Sequence, residues 1–168
     1  MGILKQYHSG AWESRARGGG TGGSGGSGTS FTTNSKVTMS GDQTVTTSTW
    51  TKIAFNTVAV DTDSEINTTN YTWTATNAGT YIVIANVVWQ ASATGVRSVG
   101  ISETGIAPVT TEYQNQWTAS SAGTTRMSMI GHIICTAGQA ITIWGWQNSG
   151  GNLVVDSDGS YFSVFRIA

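Results

Sequence analysis

Two stretches of this chain, residues 81–89 and 127–135, carry apolar side chains at odd and even positions alike. They read YIVIANVVW and MSMIGHIIC. Because successive side chains of a β-strand point to opposite sides, one side of each stretch can fill a core while the other needs a second cover. An antiparallel sandwich has no helices for that task, so the pattern favours cover by another subunit.

From residue 31 onward, short alternating runs rich in Thr, Val, Ile, Trp and Tyr recur between turn signals, and no helical period competes with them. β-branched and aromatic residues favour pleated sheets, and short runs at this spacing are typical of a sandwich or barrel. The predicted class is all-β and antiparallel. We predict strands at residues 36–39, 44–47, 51–56, 71–75, 80–90, 96–102, 110–117, 125–136, 140–147, 153–156 and 161–167.

Charge and cysteine content narrow the function classes. Charged residues make up 10% of the chain and the formal net charge is −1, so the clustered basic side chains that bind nucleic acid are missing. The single cysteine, Cys135, excludes an internal disulfide framework. The sequence shows neither a signal-peptide pattern nor an apolar run of membrane-spanning length, so we expect no secretion and no membrane insertion.

The chain divides into three parts: an N-terminal peptide at residues 1–17, a Gly/Ser-rich tether at 18–30 and a head domain at 31–168. The peptide has a strand-turn-strand pattern that is marginal in water by itself, so its apolar side chains need a partner surface. The tether composition is that of a flexible linker. The residues predicted to anchor the peptide are Ile3, Leu4, Tyr7, Trp12, Arg15 and Arg17.

Four segments of the head resemble the jelly rolls of complement globular heads and tumour necrosis factors. They read WTKIAF at 50–55, YTWTATNAGTY at 71–81, TAGQAITI at 136–143 and YFSVFRI at 161–167. The resemblance covers about residues 45–168 and implies a jelly-roll sandwich of about ten strands that assembles as a homotrimer, with both chain ends near its base. The sequence departs from the family pattern at Gln139, where an acidic residue is usual, and at Val164, where Gly is common.

The N-terminal segment carries a second resemblance. ILKQYHSGAWES, followed by a Gly-rich tether, is similar to the start of small tail and fibre proteins of bacterial viruses. This implies a virion structural protein, such as a minor tail protein or tail fibre, assembled in the host cytoplasm and displayed on the particle. Residues 1–30 would contact other virion proteins while the head binds the host surface, where a glycan is the candidate ligand. The alternative is a capsid decoration protein, or head fibre, without receptor binding.

Catalytic and metal-binding patterns are weak, and we predict neither an enzyme nor a cofactor. The chain has two histidines, His8 in the peptide and His132 within an apolar strand, and shows no nucleophile elbow, zinc spacing or phosphate loop. Two acidic loops resemble fragments of a calcium site but lack its full ligand spacing, and Asx turns explain them more simply. The calcium candidates in these loops are Asp61, Asp63, Asp156 and Asp158.

Aromatic residues supply two further groups of candidates. Tyr113 and Trp117 lie in polar, loop-like sequence, which favours a role in recognition. The other large side chains are predicted to fill the core or the trimer interface. This second group consists of Tyr81, Val83, Met129, His132, Ile134, Trp144, Phe162 and Phe165.

Overall fold

The computed structural model describes the backbone of residues 4–8 and 11–15, and residues 33–108, 113–119 and 123–168 in full. The chain falls into two units, Met1–Ser30 and Phe31–Ala168. The regular elements of the described residues are fourteen strands, in keeping with the predicted all-β class. The part of the chain described holds no helix of the length and apolarity that crossing a bilayer requires.

The first unit contains a hairpin of β1 (Leu4–His8) and β2 (Ala11–Arg15). Its antiparallel register places Tyr7 opposite Trp12, which confirms the predicted strand-turn-strand pattern. Ile3 and Arg17, two of the predicted anchoring residues, lie outside the described residues. The strands of this hairpin carry the other four anchoring residues.

The second unit is a sandwich of two antiparallel sheets. The first sheet has the order β12-β9-β14-β3-β6, with β4 also paired to β14. The second has the order β11-β10-β13-β8-β7, with β5 also paired to β13. The bounds are β3 Asn34–Thr38, β4 Gln43–Val45, β5 Thr51–Lys52, β6 Thr57–Asp61, β7 Ile66–Asn67, β8 Thr72–Thr74, β9 Gly79–Trp89, β10 Val96–Ser102, β11 Gln114–Thr118, β12 Thr125–Cys135, β13 Ala140–Gln147 and β14 Leu153–Arg166.

The core lies between the facing sides of the two sheets. Odd-numbered side chains of β9 and β12 point inward, and the predicted core residues Tyr81, Val83, Met129 and Phe162 are all buried. Trp73 of the second sheet meets Tyr81 of the first edge to face, with ring centroids 5.0 Å apart. Such offset aromatic pairs add about 0.5–1.5 kcal/mol beyond the area they bury.

The strand predictions were correct in both bounds for β10 and β13, whereas β6 and β7 were not predicted. The strand predicted at 51–56 is limited to β5, and residues 110–112 of the strand predicted at 110–117 lie outside the described residues. β6 and β7 flank an acidic segment that the sequence pattern assigned to loop. The segments predicted as separate strands at 153–156 and 161–167 form one strand, β14, whose pairing with β9 shifts register between Asp156 and Tyr161. Within this irregularity, the Ser160 hydroxyl donates to the Asp156 carbonyl at 2.6 Å.

The two ends of the sandwich differ in which parts of the chain they carry. At one end, called the terminal end, the Thr33 carbonyl accepts from Arg166 N at 3.2 Å, and the Ala168 carbonyl accepts from Thr80 N at 2.8 Å. At the opposite end, called the distal end, Trp89 lies opposite Thr125, the first residue of β12. The chain therefore enters and leaves the sandwich on the same side, as the resemblance implies.

Gly145 of β13 provides a test of how closely the sheets approach. A Cβ atom there would lie 2.9 Å from Ile53 Cδ1 and 3.0 Å from two ring carbons of Trp89. We expect Gly145→Ala to lower the free energy of unfolding by about 1–3 kcal/mol, because the indole has no room to move. Gly41→Ala is the matched control, since nothing lies within 4 Å of its Cβ position. Urea denaturation with equal losses for the two variants would contradict this packing.

Candidate functional site

The outward side of the first sheet is apolar across three strands. Two of its apolar side chains, Ile130 and Ile134 of β12, are 67% and 75% exposed. The register places Ile130 opposite Ile84, and it places both His132 and Phe165 opposite Ile82. We call Ile82, Ile84, Ile130, His132, Ile134 and Phe165 the apolar sheet face. A contiguous exposed patch of this kind in a folded domain marks an interaction surface.

The residues predicted to fill the core or the trimer interface lie on different sides of the sheets. His132 and Ile134 are exposed on the apolar sheet face and Phe165 is half-buried on it. Trp144 lies elsewhere, half-buried on the outward side of the second sheet, where its Nε1 donates to the Thr142 hydroxyl at 2.9 Å. The Lys52 ammonium lies 5.6 Å from the Trp144 ring centroid.

Trp117 lies on β11 at the distal end and is 54% exposed. Its Nε1 donates to Asn115 Oδ1 at 3.0 Å, and Asn115 Nδ2 in turn donates to the Ser128 carbonyl at 3.1 Å. The exposed indole is therefore hydrogen-bonded to a neighbour that is itself linked to β12. The other recognition candidate, Tyr113, donates its hydroxyl to the His132 carbonyl at 3.0 Å and packs against the core.

The carboxylates of three of the four calcium candidates accept hydrogen bonds from within the domain. Asp61 ends β6, and its Oδ1 accepts from Glu65 N and its Oδ2 from Ile66 N, both at 3.0 Å. Asp63 lies in the turn that follows, and its Oδ2 accepts from the Thr33 hydroxyl at 2.6 Å. The second acidic segment was predicted as a loop, but Asp156 and Asp158 lie within β14 at its register shift, where Asp156 Oδ1 accepts from Asp158 N at 2.9 Å. The described residues contain no group of three or more His, Cys, Asp or Glu side chains that would hold a metal ion.

Glu65 follows the turn that contains Asp63 and is a buried carboxylate that the sequence did not single out. It is 4% exposed, and its Oε1 accepts from Thr76 N at 2.8 Å while its Oε2 has no hydrogen-bond partner. Burial raises the pKa of this carboxyl, and the negative charges of Asp63 and Asp61 add to the rise; the hydrogen bond from Thr76 opposes it. An acidic residue in a Thr- and Asp-rich segment gives no sequence signal of burial.

A cavity of about 480 Å³ opens beside Glu65 at the terminal end. Its walls combine hydroxyl and amide groups with two apolar side chains and the Glu65 carboxylate. The lining residues are Ser64, Glu65, Ile66, Asn67, Thr68, Thr74, Ala75 and Thr76.

Two other buried groups have a structural explanation. The fully buried guanidinium of Arg97 donates to the Ser92, Thr94 and Val96 carbonyls at 3.4, 3.0 and 3.2 Å, so it holds the segment that enters β10, and burial lowers its pKa. Burial raises the pKa of the Cys135 thiol to about 11. A protonated, enclosed thiol is a poor nucleophile, which fits a packing role.

Comparison with known proteins identifies the fold. No protein-family model matches the chain, and no curated protein sequence matches it. Solved structures do match. The structure of Eiger TNF from S. frugiperda has 13% identity and a TM-score of 0.55, with 81% of this chain and 91% of that chain covered.

Two further structures give the same result. Murine APRIL at pH 5.0 has 11% identity and a TM-score of 0.60, covering 80% of this chain and 98% of that chain. The globular domain of zebrafish complement 1qA protein has 11% identity and a TM-score of 0.55, covering 81% and 98%. The head is thus an antiparallel jelly roll. It has the fold shared by tumour necrosis factors and complement globular domains, which confirms the resemblance at the level of fold.

The raised pKa of Glu65 predicts a specific dependence of stability on pH. Because the folded state holds the proton more tightly than the unfolded chain, stability falls as the pH rises from the ordinary carboxyl pKa through the raised folded value. Glu65→Gln removes this titration. We therefore expect the wild type to lose stability relative to Glu65→Gln as the pH rises, as measured by thermal unfolding between pH 4 and pH 8. A constant difference over that range would show that Glu65 has the same pKa in both states.

Proposed function

We propose that this protein is a trimeric surface protein of a bacteriophage virion, a fibre or spike whose N-terminal peptide docks on the particle and whose jelly-roll head contacts the host surface. The observation that carries the proposal is the apolar sheet face. It leaves Ile130 and Ile134 more than half exposed in a single copy. A second copy supplies the cover that such a face lacks.

Several features support a closed trimer as the form of this assembly. The apolar sheet face extends over β12, β9 and β14, the strands that build most of the first sheet. The fold is the one that the sequence resemblance associates with three copies around an axis. The exposed isoleucines lie outside the core, so association leaves the packing of each copy unchanged.

The virion location is supported by the N-terminal part of the sequence. Residues 3–14 are similar to the start of small phage tail and fibre proteins, and residues 18–30 have the composition of a linker. The chain enters the sandwich at the terminal end, where Thr33 is hydrogen-bonded to β14. Other virion proteins are therefore the proposed partners of residues 1–30.

Trp117 supports a role for the distal end in recognition. Its ring is exposed, and the hydrogen bond from its Nε1 to Asn115 favours one orientation, which lowers the side-chain entropy that contact with a ligand would cost. A neutral glycan on the host surface suits an aromatic ring flanked by amide groups. Three such sites on one trimer would raise the apparent affinity through effective concentration. We propose binding rather than catalysis, and no cofactor.

A capsid decoration protein without receptor binding is the second candidate. It shares the anchor, tether and trimer, and it differs in having no ligand at the distal end. The apolar sheet face favours an assembled head in both cases. Experiments on phage particles are therefore needed to distinguish the two candidate functions.

The trimer is tested by placing charge on the apolar sheet face. We expect wild-type protein to have three times the chain mass in light scattering at micromolar concentration, and Ile130→Glu with Ile134→Glu to reduce it to the mass of one chain. Both side chains are exposed in a single copy, so the far-UV spectrum should stay unchanged. Ile106→Glu is the control, since Ile106 is 62% exposed but belongs to the segment after β10. A monomeric wild type would contradict the proposal.

The role on the particle is tested with phage carrying Trp117→Ala. We expect particles of normal composition whose adsorption to host cells falls about tenfold, as loss of one central aromatic contact often does. Ile106→Ala is the matched control, because it removes an exposed apolar side chain from another part of the head. Unchanged adsorption for Trp117→Ala and for deletion of residues 31–168 would favour decoration. Absence of the protein from purified particles would refute both forms.

A further inference from the structure

His132 is the ionisable member of the apolar sheet face. Its side chain is exposed in a single copy, and Ile130 and Ile134 flank it two positions away on β12. Across the sheet it lies opposite Ile82 of β9, which in turn lies opposite Phe165 of β14. A second copy that covers these apolar side chains therefore encloses the imidazole between them.

The acidic side chains of the first sheet lie away from this imidazole. Asp61 ends β6, at the edge of the sheet opposite β12. Asp156 and Asp158 lie at the register shift of β14, at the distal end. The neighbouring outward positions of β9 carry Thr80 and Ile84, which do not titrate. Within the part of the head that the structure describes, a charged imidazole on this face thus has no acidic side chain of its own copy to pair with.

The basic side chains of the same sheet cannot neutralise a second positive charge. They are Arg126 near the start of β12, Lys36 on β3 and Arg166 on β14. The Lys36 ammonium lies 4.9 Å from the Tyr161 ring centroid, and Arg166 donates to two carbonyls at the terminal end.

Two elements of the second sheet also pack against β12. Tyr113, just before β11, donates its hydroxyl to the His132 carbonyl at 3.0 Å, so this bond is to the backbone and leaves the protonation of the ring unaffected. The charged residue of β10 is Arg97, which is fully buried inside the sandwich and does not face the imidazole. Apolar side chains therefore dominate the surroundings of the ring.

Enclosure in such surroundings distinguishes the two forms of the imidazole. An uncharged ring costs the free energy of one polar group, whereas a buried charge without a partner costs far more. An ordinary imidazole is half protonated at about pH 6.5, so a small change of pH near neutrality decides which form is present.

We propose that His132 makes assembly of the head depend on pH: three copies close over the apolar sheet face when the imidazole is uncharged, and its protonation releases them. This inference rests on the trimer of the proposed function, because another copy supplies the enclosure. The assembled state binds fewer protons than the separated chains, so assembly weakens as the pH falls. Each trimer that dissociates frees three imidazoles, and lowering the pH from 7.5 to 5.5 should raise its dissociation constant about 1000-fold.

The proposal is tested by sedimentation equilibrium of the full-length protein at pH 7.5, 6.5 and 5.5 and constant ionic strength. His132→Gln keeps a polar side chain that takes up no proton, so its dissociation constant should stay nearly constant over this range. His8→Gln is the matched control, because it removes the other histidine of the chain and should keep the wild-type dependence. Glu65 is present in all three proteins, so its titration cancels in the comparison.

His132→Lys gives a second reading, because it carries a positive charge at every pH tested. We expect it to have the mass of one chain already at pH 7.5. The position is exposed in a single copy, so the far-UV spectrum should match that of the wild type.

The outcomes separate this inference from the trimer on which it rests. A wild type with the mass of one chain at every pH would refute the trimer, and the inference with it. A trimer whose dissociation constant is the same at pH 7.5 and 5.5 would refute the inference alone. Equal pH dependence of wild type and His132→Gln, or a His132→Lys trimer of wild-type stability, would also overturn it.

Discussion

The pairing of β9 with β12 is the constraint on which the sandwich depends. It runs without interruption from Trp89 opposite Thr125 to Gly79 opposite Cys135. A shift of one residue would exchange the faces of both strands, and because both faces are apolar, hydrophobicity alone resists such a shift weakly.

Size and hydrogen bonding fix the register instead. Gly131 faces inward where a Cβ would lie 3.0 Å from Ile101 Cδ1, so a larger side chain at this position would crowd the core. On the outward side, the Ser128 hydroxyl donates to Asn86 Oδ1 at 2.8 Å, and this bond favours the register in which the two residues lie opposite each other. The same register that buries Tyr81 and Met127 sets Ile130 and Ile134 on the outside. The core and the apolar sheet face are therefore two consequences of one alignment.

The sequence predicted β9, β10, β12 and β13 to within one residue at each end, because their long β-branched and apolar runs are bounded by clear turn signals. It divided β14 into two strands, because Asp156, Ser157, Asp158 and Gly159 are typical of a turn. It missed β6 and β7 because the segment between them is rich in Asp, Thr and Ser, which favour turns. The burial of Glu65 was beyond sequence reasoning for a related reason. The Asp61 carboxylate accepts hydrogen bonds from Glu65 N and Ile66 N, and this local bonding accompanies a backbone turn that places the Glu65 side chain inside. For the aromatic residues, the alternating pattern shows which side chains share a face of a strand but not which face points inward. Trp144, for example, faces away from the core that its strand helps to build.

The energetics of the apolar sheet face argue that assembly needs more than its two most exposed side chains. Burying an isoleucine that is mostly exposed contributes about 1–2 kcal/mol, so in the proposed trimer the six side chains of Ile130 and Ile134 would together contribute about 6–12 kcal/mol. Bringing chains together costs about 4–15 kcal/mol per association step. The proposed assembly would therefore also have to cover the half-buried side chains of β9 and β14, including Ile82, Ile84 and Phe165. His132 lies on the same face, and covering its polar ring without a hydrogen-bond partner would cost free energy.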